Sequence, residues 1–432
     1  MNVVQSGEIR MDQSPFGPQV LPMTERLNIA LVTPLLAKHA TGLSSYIANL
    51  VPHLCDAGHR VTVLATDCGY QGADAGELVG IDSRADFKLF HVTGRFNRRV
   101  CRSPEMVRWF RDNVKSFSIV DMQGIWYLVT SDIARVCRDA NLPYVITPHG
   151  MMSRWDWAKR PFAKRTYFRL VYDKCWRSAA AVRFLSTGER DSCMIRPQTQ
   201  AAVIPNAVGK PGKEDSAPVA GFKARWKIPP TAPVVLFLGR VTPQKGVLEL
   251  IQAFDIVRQL CPEAVLVVAG WLDGSYGEEV RACAENGGSH ENIHFLGPVE
   301  GEMKDALFAS ASVFATLSRS EGLPMAVLEA LGYGIPSVLT VNSNVPEVSE
   351  YAAGVITELD PAKAAADIAE ILLNEERRVA MGENARRLVA ERFSWNATLP
   401  QLTGLYEKIL SQGVFSGEDT AMKPGFMGSG SP

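Results

Sequence analysis

Short apolar runs alternating with longer stretches of helical period constrain this chain more than any other feature. The runs fall at 27–32, 61–65, 87–92, 118–122, 144–147, 181–185 and 202–204, with helix-like stretches such as 44–56, 104–117 and 129–140 between them. Strands that are apolar throughout suit a parallel sheet covered on both faces, because each crossover helix buries one face. A stretch rich in Pro, Gly and Lys, 205–233, interrupts the rhythm and reads as a linker. Alternation then restarts with strands at 234–238, 265–269, 293–296, 313–316 and 337–340 and helices at 247–260, 278–285, 302–309 and 324–331. Helical pattern continues at 362–373, 375–391 and 397–410. With 432 residues the chain is too long for one ordinary core. The expectation is an α/β protein of two doubly wound units, with its ligand in the crevice at the carboxyl ends of the strands.

Composition narrows the function. A hydrophobic fraction of 46% and a charged fraction of 21% are ordinary for a soluble globular protein. The net charge of -1 argues against a nucleic-acid binder. The eight cysteines form no CxxC pair and no cluster with His, so reduced and mostly buried thiols are expected, with no metal site. Residues 1–26 lack the charged and apolar regions of a secretory signal, and no run approaches the roughly 18 apolar residues of a spanning helix. A cytoplasmic location follows as an expectation. Gly332–Ser337 is the nearest approach to a dinucleotide fingerprint, but it lacks the third glycine and follows a helix instead of a strand. No Walker sequence is present.

Two segments carry chemistry. The first, Ser318 to Leu331, places Glu321 in a loop after a strand, then Gly322, Leu323 and Pro324, with Pro324 expected in the first turn of a helix. The free N–H groups of such a turn attract anions. Glu329 lies in that helix among Ala326, Val327, Leu328, Ala330 and Leu331, where a carboxylate needs partners. Two ribose hydroxyls would supply them; a solvent-facing Glu is the plainer alternative. The second segment, Leu238 to Gly246, ends the first strand of the second unit and holds Arg240 and Lys245 between glycines. A guanidinium fork and a mobile ammonium at the crevice suit a diphosphate; an exposed basic loop is the alternative.

Leu238–Gly246, the Glu321-to-Glu329 spacing and Val203-Ile-Pro-Asn206 together resemble the family 4 retaining glycosyltransferases, over roughly 27–410. The resemblance implies the GT-B architecture, two Rossmann-like domains facing a central cleft. It implies a hexose moved from a nucleotide diphosphate sugar, UDP- or GDP-linked, to a glycan or polyprenyl-diphosphate-linked acceptor. Retention of anomeric configuration, no metal and no cofactor beyond the sugar nucleotide also follow from it; no DxD sequence occurs. Arg240 and Lys245 would bind the diphosphate, Glu329 the ribose, and Glu321 would act beside the donor sugar. Gly322, Leu323 and Pro324 would complete the donor loop. The expected division is an extension over 1–26, an acceptor domain over 27–210, a sugar-nucleotide domain over 211–393, a helix over 394–411 returning to the first domain, and a disordered tail over 412–432.

The first unit adds Gly42, between the first strand and helix, where relatives often carry two glycines near the diphosphate. Leu317 and Ala207 likewise stand where proline and glycine are common. Thr147-Pro-His149-Gly150 resembles the family's strand-end histidine loop, whose His contacts the donor sugar. Between 154 and 177, basic residues interleave with Trp, Tyr and Phe. That pattern fits either an anionic membrane surface or an amphipathic helix with buried aromatics. Other readings of the same fold are a nucleotide-sugar epimerase or a non-catalytic glycan- or nucleotide-binding protein.

Overall fold

A computed structural model describes residues 26–36, 42–68, 80–209, 216–272 and 274–412. Thr41 and most of the expected extension and tail lie outside these residues. Two parallel sheets account for the alternation. The first contains β1 (Asn28–Leu35), β2 (Arg60–Thr66), β3 (Asp86–Phe90), β4 (Ile119–Gln123), β5 (Tyr144–Thr147), β6 (Ala181–Phe184) and β7 (Gln200–Val203), in the order β3-β2-β1-β4-β5-β6-β7. The second contains β8 (Val234–Leu238), β9 (Val265–Ala269), β10 (Ile293–Gly297), β11 (Val313–Thr316), β12 (Ser337–Thr340) and β13 (Gly354–Thr357), in the order β10-β9-β8-β11-β12-β13. Strand order reverses beside β1 and again beside β8, which makes each the edge of a ligand crevice.

The apolar strands are buried on both faces because successive side chains point to opposite sides. In β1, Ile29 and Leu31 enter one core and Ala30 and Val32 the other. In β8, Val235 and Phe237 join one core and Val234 and Leu236 its counterpart. The last helix, Trp395–Ser411, packs Leu402, Leu405, Tyr406 and Ile409 into the core that holds Ile29 and Leu31. This helix therefore rests against the sheet that holds β1. All eight cysteines are free thiols, four buried and four partly exposed.

Three expectations need correction. The stretch read as a linker contains a helix, Ser216–Arg225, whose Phe222 joins Ile228, Ala306 and Phe308 in the second unit's core. Its glycine and proline concealed that apolar side. Strand β13 was not expected; four residues beginning with glycine give too short an alternation to stand out. Pro324 caps the helix Met325–Gly332 with extended backbone and does not occupy its first turn.

The basic and aromatic stretch is broken into helices Arg154–Ala158, Pro161–Tyr167 and Asp173–Arg177, with a π-helical turn at Phe168–Tyr172. Its aromatics divide: Trp157, Phe168, Tyr172 and Trp176 are buried, whereas Phe162 is 86% exposed and the aliphatic Leu170 80%.

Candidate active site

The basic loop after β8 owes its shape to glycine. Gly246 has φ 64°, and a Cβ there would lie 2.0 Å from the Leu317 carbonyl oxygen. Only glycine lets Lys245 end this turn against the chain leaving β11. Lys245 Nζ stands 2.6 Å from Glu321 Oε1, and Ser318 Oγ donates to the same oxygen at 2.9 Å. β8 and β11 are neighbours, so the ends of adjacent strands deliver these groups to one point. Backbone and side chain fix the carboxylate's own loop as well: Glu321 N donates to Asn342 O at 3.0 Å, and Asn344 Nδ2 to Glu321 O at 2.5 Å.

Arg240 is exposed and makes no hydrogen bond or ion pair among the described residues. Its charge acts on Tyr127 in the opposite unit: burial raises the Tyr127 pKa and Arg240 lowers it. Glu329, one helix beyond, pairs with Lys304 at 2.7 Å. No hydrogen bond joins Arg240 or Glu329 to the other predicted site residues. The helix Met325–Gly332 begins without a side-chain cap, leaving its amino end available to an anion.

Gly42 opens the helix Gly42–Asp56 on the facing wall, and a Cβ on it would lie 3.0 Å from Met325 Cγ. Two helix amino ends therefore meet across the cleft. His149 follows β5 in a left-handed conformation, φ 51°, and its Nε2 lies 2.7 Å from Gln123 Oε1. Burial, then the positive charge of Arg183, pushes its pKa down to about 3, so the imidazole is neutral near pH 7. Gly150 continues the turn with φ 77°, and a Cβ on it would lie 2.8 Å from Gly322 N. Ser186 Oγ donates to Gly322 O at 3.0 Å, and Ser320 Oγ meets Ser153 Oγ at 3.0 Å. The cleft is closed at this point, backbone against backbone.

Three features escaped the sequence reading. Lys304 is one; its separation from Glu329 gave no signal. A second is a buried polar network beneath the cleft. Arg183, fully buried, donates to Tyr46 Oη at 2.8 Å, Ile204 O at 3.0 Å, Pro205 O at 2.8 Å and Asn206 Oδ1 at 3.0 Å. The Val203–Asn206 motif thus anchors an arginine. Asp121, also buried, accepts from Tyr406 Oη at 2.6 Å, and burial raises its pKa. The third is Glu189, for which Ser186-x-x-Glu189 is a legible capping-box signal.

A cleft between two doubly wound units, with a paired Lys and carboxylate on one wall and an unpaired Arg beside them, is the architecture of a sugar-nucleotide-dependent transferase. The profile described as Glycosyl transferase 4-like domain matches residues 41–207, and the one described as Glycosyl transferases group 1 matches 221–388. The chain belongs to the family 4 type of glycosyltransferases, with GT-B architecture. It is 26% identical over 391 residues to a GDP-mannose-dependent alpha-(1-6)-phosphatidylinositol monomannoside mannosyltransferase of Mycobacterium tuberculosis, covering 87% of this chain and 96% of that one. It is 33% identical over 187 residues to a D-inositol 3-phosphate glycosyltransferase of Corynebacterium efficiens, 42% of this chain and 44% of that one. Among solved structures, a sucrose-phosphate synthase from Thermosynechococcus elongatus shares the fold with a TM-score of 0.69 at 18% identity, covering 90% of this chain and 100% of its own. Anabaena HepE, solved with UDP and glucose, does so at 0.70 and 16% identity, covering 89% and 100%.

Proposed function

We propose that this glycosyltransferase moves a hexose, foremost mannose from GDP-mannose, to a glycan or lipid-linked acceptor, with retention of configuration and without a metal. The observation that carries the reading is Arg240, an unpaired guanidinium beside the Lys245–Glu321 pair. The GDP-mannose dependence of the long mycobacterial relative supports the donor choice. Breaking the sugar–phosphate bond places negative charge on the diphosphate and positive charge on the sugar ring. Arg240, Lys245 and the amino ends at Gly42 and Met325 meet the first; Glu321 faces the second. Gly322, Leu323 and Pro324 shape the loop that carries Glu321. Neutral His149 offers the sugar a hydrogen bond, not a proton from an imidazolium. The departing phosphate oxygen takes the acceptor proton. A carboxylate has about four lone-pair positions, so Glu329 can keep Lys304 and still accept ribose hydroxyls.

A thermal-shift titration tests the donor assignment. GDP should raise the melting temperature more than UDP or ADP at equal concentration; a larger shift with UDP would overturn the choice of base. The domain limits adopted are 27–210 and 211–393, with 394–411 returning to the first domain.

Among the described residues no helix is long and apolar enough to cross a membrane. The protein works in the cytoplasm at an anionic lipid surface, through exposed Phe162 and Leu170 flanked by Arg165 and Arg169. Flotation with vesicles of phosphatidylglycerol and phosphatidylcholine should recover the wild type, and Phe162→Asp should abolish recovery; equal recovery of both would contradict this surface.

A further inference from the structure

We infer that Glu189 is a positioning residue for sugar transfer: its buried carboxylate holds the His149–Gly150 turn and thereby sets His149 against Glu321. The inference rests on the reading of His149 and Glu321 as site residues.

Glu189 lies in the short helix Thr187–Ser192 after β6 and is 3% exposed. In an ordinary capping box the glutamate would return to the N–H of its own cap residue. Here it reaches past Ser186. Oε2 accepts from Leu185 N at 2.6 Å, and Oε1 accepts from Gly150 N in a very short contact. One carboxylate thus ties the carboxyl end of β6 to the turn at the carboxyl end of β5.

That turn requires a tether. His149 is a non-glycine residue held in left-handed backbone, a conformation that persists only where its surroundings over-determine it. Its other side has no slack, because Gly150 and Gly322 stand backbone to backbone across the cleft. The same cap closes the circuit: Ser186 Oγ accepts from Glu189 N at 3.0 Å and donates to Gly322 O at 3.0 Å. A shift of the turn would therefore be felt at Glu321, the residue before Gly322.

Stability alone explains this arrangement poorly. No ion pair satisfies the buried carboxylate; burial raises its pKa to about 7, and the N–H groups of Leu185 and Gly150, then the Arg183 charge, oppose the rise. Other ionisable groups near it are His149, on the turn it holds, and Cys193, on which its charge acts. A buried carboxylate with no ion pair is a costly way to satisfy two N–H groups. What it adds is geometry, because two oxygens on one rigid plane fix two loops at once.

Glu189→Gln keeps the shape but offers one oxygen and turns an NH2 against the second N–H. GDP release from GDP-mannose, to acceptor or to water, gives the readout. The expected result is kcat lower by about tenfold or more, from one buried N–H left unmatched, with KM for GDP-mannose changed by about twofold or less. The double variant with His149→Ala should lose no more than His149→Ala alone, since both act through one turn. Losses that multiply, or a Glu189→Gln kcat equal to wild type while His149→Ala and Glu321→Ala are impaired, would overturn the inference. Unimpaired His149→Ala and Glu321→Ala would instead overturn the underlying site reading. Should Glu189→Gln fail to fold, Glu189→Asp keeps the charge, reaches only one N–H, and should give the same split between kcat and KM.

Discussion

Replacing Glu321 by Gln should lower turnover of GDP-mannose by about a hundredfold to a thousandfold, the range for loss of one preorganised charge-stabilising group. Binding of the donor should hold or tighten by a few-fold. The reason is the 2.6 Å pair between Glu321 and Lys245. In the free protein that carboxylate competes with a diphosphate for the ammonium, and the amide does not. The Ser318 hydroxyl can still donate to the amide oxygen, so the loop keeps its shape. Steady-state GDP release and calorimetric GDP titration separate the two effects. Turnover within tenfold of wild type, or donor affinity lost together with turnover, would remove Glu321 from the chemistry.

Replacing Arg240 by Ala should act the other way round. Arg240 has no hydrogen-bond or ion-pair partner among the described residues, so folding stability should barely change. A charge-assisted hydrogen bond contributes about 1.5–3 kcal/mol, which corresponds to GDP binding weaker by about tenfold to a hundredfold. Guanosine, without phosphates, should bind both proteins equally. Calorimetry with GDP and guanosine checks this; unaltered GDP affinity would refute the diphosphate role.

Much of this site was legible because its residues are local to strand ends. Lys245 and Glu321 each follow an apolar run that can only be a buried strand, and the crevice rule places such loops together. Their ion pair was not legible, because adjacency of β8 and β11 is a fact of strand order, not of sequence distance. The same limit hid the polar floor. Arg183 meets Tyr46 across 137 positions and Asp121 meets Tyr406 across 285. No local period encodes contacts at such range. Glu329 was read from sequence as needing partners, with ribose hydroxyls named for them; Lys304 could be named only once the helix Gly301–Ser310 was placed beside it. The helix Ser216–Arg225 failed for a different reason. Its apolar side rests mainly on Phe222, too little to mark a period beside Pro218 and Gly221.

The basic and aromatic stretch admitted two readings in sequence, and its structure shows the buried aromatics of the second. Four aromatics build the first unit's core, while Phe162 and Leu170 remain outside. Half-buried Trp155 lies against Arg319, ring centroid 5.9 Å from the guanidinium carbon, and brings this stretch to the donor loop. The basic and aromatic stretch and the loop carrying Glu321 thus share a contact.

The most direct measurement is proton NMR of the purified chain with GDP-mannose, EDTA and mixed micelles of phosphatidylinositol as acceptor. The donor carries an α-linkage. The expected result is GDP appearing in step with a new α-mannoside, at a rate unaffected by EDTA. A β-mannoside, loss of GDP release on chelation, or conversion of the sugar nucleotide without release of GDP would contradict a retaining, metal-independent transferase.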